Sequence, residues 1–166
     1  LPVQAESEFA LVIDKLEPAL KLSGQPVKRG TMAHEHIVYM MLVDSAARAG
    51  DEATIRKFAP RLEELALRDD HQPYLAVAHR AWGVAHRLAG EFTDAETRLA
   101  KALNIFEALG TDWQTGRTLY ELGELALAQL DGGAAHKYFT RALDLFEELE
   151  AKPDIVKTAA VIEKLS

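Results

Sequence analysis

Apolar residues recur along this chain with a helical period, and no alternating stretch competes to suggest a strand. Leu119, Leu122 and Leu125 with Ala126 make one stripe, and Ala135, Phe139, Ala142 with Leu143, and Phe146 make the next. That spacing of three and four residues is the mark of an amphipathic helix. Followed along the chain, the pattern predicts helices at 4–22, 33–49, 51–68, 73–89, 92–109, 112–130, 132–149 and 154–165. The boundaries have chemical support. Asp51 and Asp131 stand where N-caps are needed, and Thr111-Asp112-Trp113-Gln114 has the form of a capping box, in which side chains satisfy the first free amides of a helix. Pro73 and Pro153 lie near helix starts, where a missing N–H removes no hydrogen bond.

The helices come in a repeating pair. Leu103, Ile105, Phe106, Glu107 and Leu109 return as Leu143, Leu145, Phe146, Glu147 and Leu149, each shifted by 40 residues. The same shift carries Gly83 to Gly123, Ala95 to Ala135 and Ala102 to Ala142. An earlier, weaker copy keeps the register, with Leu42-Val43, Ile55, Ala59 and Leu62, but the small-residue rule lapses in it, since Val43, Ile55 and Leu62 stand where the later copies have Gly or Ala.

The order Leu119-x-x-Leu122-Gly123-x-x-Ala126, then Ala135-x-x-x-Phe139-x-x-Ala142, resembles the tetratricopeptide repeat, and Trp82-Gly83, Ala95, Leu99 and Ala102 repeat it. The period here is 40 rather than the roughly 34 usual for that family, and no Pro closes the second helix of either good copy. The lengthened form, with Leu-x-x-Phe-Glu-x-Leu-Gly at Leu103 to Gly110, is similar to repeats found C-terminal to ATPase modules in large bacterial regulators, including transcription activators. The resemblance implies an all-α, right-handed α-solenoid of antiparallel helix pairs, one domain over 1–166. Its repeats are expected at 33–68, 73–109 and 112–149. Residues 4–22 would be the second helix of a truncated repeat, and 154–165 a capping helix or the start of a further repeat.

Composition narrows the function. With 19 Lys+Arg against 26 Asp+Glu the net charge is −7, the wrong sign for a protein that neutralises nucleic-acid phosphates or anionic lipid. Neither partner class is expected. There is no Cys, so disulfides, thiolate nucleophiles and Cys-bound metals are excluded. The longest apolar run, Ile37 to Val43, is far short of a bilayer span. Leu1-Pro2 shows neither an initiator Met nor a signal peptide pattern, which reads as a segment of a larger cytoplasmic protein.

Chemistry is sparse. No phosphate-binding loop occurs, and Asp131-Gly132-Gly133 reads as a turn between helices. Paired carboxylates such as Glu63-Glu64, Asp69-Asp70 and Glu147-Glu148 fall at helix ends or on solvent faces, and no Ser lies in a nucleophile elbow. His34 and His36 point to different faces. His79 and His86 share one, but seven residues place their backbones about 10.5 Å apart, too far for one metal without ligands from elsewhere. They read as packing residues beside Trp82. No enzyme activity, cofactor or metal site is expected.

The resemblance implies that each first helix lines a concave groove. By register that groove receives Ile37, Met40, Asp44 and Arg48 from the first copy, Arg80, Val84 and Arg87 from the second, and Arg117, Tyr120 and Glu124 from the third. Met41 and Tyr39 are assigned to the core. The Lys-x-x-x-Asn pattern with which some family members clamp a C-terminal carboxylate is absent, since Met40 and Asp44 fill those places. Four Arg on one face can bind carboxylate or phosphate through guanidinium forks, or can pair internally with Asp44, Glu121 and Glu124. The expected function is a protein-interaction scaffold holding a partner protein or peptide, of acidic character, in the groove. The alternative is an effector-sensing domain that binds a small anionic ligand or peptide within a signalling ATPase or transcription regulator. Self-association is a third expectation, through Phe9, Ile13 and Leu16 at one end and Ile162 and Leu165 at the other.

Overall fold

The computed structural model describes residues 32–165, with side chains from Glu35 onward; the segment 4–22, with Phe9, Ile13 and Leu16, and the side chain of His34 lie outside the described residues. The described chain is helical throughout: α1 (Met32–Ala49), α2 (Glu52–Arg68), α3 (Gln72–Leu88), α4 (Phe92–Ala108), α5 (Asp112–Ala128), α6 (Gly132–Glu148) and α7 (Lys152–Leu165). Consecutive helices pack as antiparallel pairs, α1 also packs on α3, and α3 on α5.

From α2 to α6 every helix has 17 residues, and the joints recur every 20. Residues 50, 70, 90, 110, 130 and 150 all have positive φ. At each joint the next amide reaches back to a carbonyl five residues earlier, as in Asp51 N–H to Ala46 O (2.9 Å), Glu91 N–H to His86 O (2.8 Å) and Asp131 N–H to Ala126 O (2.9 Å). This is the Schellman closure, which satisfies the last carbonyls of a helix when one residue adopts the left-handed conformation. The 40-residue period is therefore two equal halves.

Asp51 and Asp131 cap their helices, accepting from the amides of Thr54 (3.0 Å) and Ala134 (2.8 Å). The box expected at Thr111 does not form. Thr111 is the N-cap residue of α5 but makes no side-chain cap bond. Its hydroxyl donates instead to Phe106 O (3.2 Å), and the side-chain oxygen of Gln114 accepts from Arg80 (2.7 Å).

The repeat positions are the packing positions. Ala95, Ala102, Ala135 and Ala142 are all fully buried. A Cβ on Gly83 would lie 2.5 Å from Leu99 Cγ, and one on Gly123 would lie 2.7 Å from Phe139. These glycines mark where the two helices of one repeat touch. Two clusters result, one centred on α1 to α4 and the other on α4 to α7. On α7, Ile162 and Leu165, expected to form an open stripe, are partly buried against the second cluster, and Val156 is 69% exposed. Among the described residues no helix is long and apolar enough to cross a membrane.

Candidate functional site

The inner helices converge on one carboxylate. Asp44, near the C-terminal end of α1, accepts from Arg80 Nη2 of α3 (2.8 Å) and from both terminal nitrogens of Arg117 of α5 (2.9 and 3.0 Å), while Arg48, one turn further along α1, approaches to 3.8 Å. Arg117 thus reaches from α5 to a carboxylate 73 residues earlier on α1. Arg80 has no open surface: it is 1% exposed, stacks on Phe106 at 5.2 Å, and gives its second nitrogen to Gln114. Burial alone would raise the Asp44 carboxyl, but Arg80, Arg117 and Arg48 outweigh it and hold Asp44 well below the usual carboxylate range. Burial and Arg117 together lower Arg80 to about 10 against the pull of Asp44, so it remains a cation at neutral pH.

Further along the same face Arg87 pairs with Glu121 (3.3 Å) and Glu124 (4.0 Å). Tyr120 is buried under the Nζ of Lys157, 4.1 Å from its ring, and burial followed by Glu124 and Glu121 raises its hydroxyl above the ordinary tyrosine value. Val84 is fully buried and Met40 packs against the core, whereas Ile37 is 41% exposed. Met41, assigned to the core from sequence, is instead 42% exposed. One helical turn separates it from Ile37, so the two share a face. Tyr39 packs as expected.

Trp113 was missed by the register argument. It sits in the first turn of α5, 39% exposed, with Arg48 5.3 Å and Arg117 4.9 Å from its ring centroid, and its indole N–H donates to Asp154 of α7 (2.9 Å). Its sequence signal was its place four residues before Arg117, hence on the same helix face. Counting Asp154, four carboxylates (Asp44, Glu121, Glu124, Asp154) face four arginines (Arg48, Arg80, Arg87, Arg117).

The histidines mostly behave as packing groups. His79 is buried beside Arg98 (2.9 Å) and Glu63, and burial lowers its pKa although Glu63 opposes the shift. His36 is buried against Asp69 (2.6 Å). His86 stacks on Trp82, with centroids 5.6 Å apart, and its imidazole meets Glu91.

The family model for the tetratricopeptide repeat matches residues 74–148, the stretch that holds α4, α5 and α6 and nearly all of α3. No curated protein matches the chain.

Proposed function

Since residues 74–148 are tetratricopeptide repeats, a fold that generally mediates protein–protein interaction and is typically a non-catalytic scaffold, we propose that this chain holds a partner protein segment along the concave face of α1, α3 and α5. Trp113 carries the reading. A large aromatic ring, half open, with two guanidinium groups against it and its indole N–H held by Asp154, is the type of side chain that anchors interfaces at little entropic cost. Ile37 and Met41 would add apolar contact at the α1 edge. The remaining groove residues, Met40, Asp44, Arg48, Arg80, Val84, Arg87, Arg117, Tyr120 and Glu124, support the surface from below or at its rim.

The sensing alternative gains nothing from the geometry, because a small anion would have to displace Asp44 from Arg80 and Arg117, or Glu121 from Arg87. A partner carboxylate faces the same competition, so contact with Trp113 weighs more than net charge. The parent as a cytoplasmic bacterial regulator stays part of the proposal. A photo-crosslinking amino acid placed at Ile37 or Met41, against one at Ala100 or Lys137 on second helices, tests the reading in source lysate. One partner should crosslink from the first pair only, and Trp113→Ala should abolish most of that product with the helical circular dichroism unchanged. Equal yields from both pairs would refute the groove.

A further inference from the structure

The joint between α3 and α4 brings together three metal-ligating side chains that the groove does not use. His86 lies in the last turn of α3, Glu91 is the N-cap residue of α4, and Asp94 is in its first turn. One ligand atom from each lies within 4.8 Å of the others. We propose that His86, Glu91 and Asp94 form a surface site for a single divalent transition-metal ion of the zinc type.

The sequence offered His86 only His79 as a companion, one face and two turns away. The Schellman joint changes that. It reverses the chain between residues 88 and 92, so carboxylates five and eight positions later come up beside the imidazole. Glu91 occupies a capping position yet makes no side-chain cap bond; its carboxylate turns to His86 Nδ1 instead. The imidazole is held in place by Trp82, stacked at 26° to its plane, so one ligand is oriented before any ion arrives. Donors around a four-coordinate zinc at about 2.0–2.2 Å stand roughly 3.4 Å apart, and the exposed Glu91 and Asp94 can close the remaining gap by rotamer changes. One neutral nitrogen and two carboxylates supply a charge of −2 against a divalent cation. That mixed set suits zinc, nickel or copper rather than calcium or magnesium, which need more oxygen ligands. The fourth position would be water. Arg56 now donates to Glu91 (3.2 Å) but keeps Glu52 (2.7 Å) if Glu91 is taken.

Isothermal titration of the 166-residue chain with zinc chloride, and visible absorption on titration with cobalt chloride, test the site. One equivalent should bind. Affinity should fall at least tenfold in His86→Ala and in Asp94→Asn, and stay unchanged in His136→Ala, an exposed histidine on α6. Absence of uptake by the native chain, or equal uptake by native and Asp94→Asn proteins, would overturn the proposal. Asp94 is exposed, so its variant keeps the test decisive even if His86→Ala fails to fold.

Discussion

Leu130 is the residue least suited to its place. It holds the left-handed joint between α5 and α6 at φ 62° and is 93% exposed, so it suffers the steric clash of its Cβ and gains no burial in return. Leu130→Gly is expected to stabilise the fold by roughly 0.5–1 kcal/mol in urea melts. Gly110→Ala, at the same register with φ 63°, should destabilise by about 1 kcal/mol or more. Asp44 is the opposite case, a residue whose loss strands a neighbour. Without it Arg80 would be a buried cation with only neutral partners, and breaking such a pair costs about 3 kcal/mol. Asp44→Asn should show that loss at pH 7. Because the folded carboxyl is held below its unfolded value near 4, its contribution is fully present above about pH 5. It disappears as pH falls toward the folded pKa, so the gap between native and variant melts should be flat from pH 7 to 5 and close in acid.

At the scale of helices, one repeat is a small residue on the first helix receiving a large one from the second. Gly123 against Phe139, Gly116 against Phe146 and Gly83 against Leu99 are instances, and Gly123→Ala should destabilise by about 1–3 kcal/mol through overpacking. Ala142→Leu should do the same, since Ala142 is fully buried; a neutral result for both by urea denaturation would mean the register is misassigned. These contacts were legible because a 40-residue shift superposes them without knowledge of the fold. Helix ends were legible at every joint, glycine or not: the predicted ends at 49 and 68 match, those at 89, 109 and 149 run one residue long, and only the end at 130, the left-handed joint residue itself, runs two residues past α5.

At the scale of the molecule, neighbouring repeats are stitched by ion pairs at nearly constant separation. Arg56 with Glu91, Arg98 with Glu63, Arg141 with Glu107, Arg87 with Glu121 and Arg80 with Asp44 all join residues 34 to 36 apart. Arg117 with Asp44 spans 73. Sequence placed these charges on the correct helices and offered Asp44, Glu121 and Glu124 as partners of the groove arginines, as observed, but it did not give the pairs of Arg56, Arg98 and Arg141, because a guanidinium reaches across a neighbouring helix and periodicity describes only backbones. Hydrogen exchange gives a whole-molecule check: Arg117→Leu should raise exchange in α1 and α2 more than in α6, since it releases the first repeat from the third.

The long-range pair gives the array a sense of number. Duplicating or deleting the middle repeat would preserve joints of the same length and most neighbour stitches, as expected of a modular solenoid. Asp44 and Arg117 would then stand three repeats apart or in adjacent ones, and their fork could no longer close as it does here. The pair is therefore a ruler for the interval it spans: one repeat, neither none nor two, stands between the helix that carries Asp44 and the helix that carries Arg117.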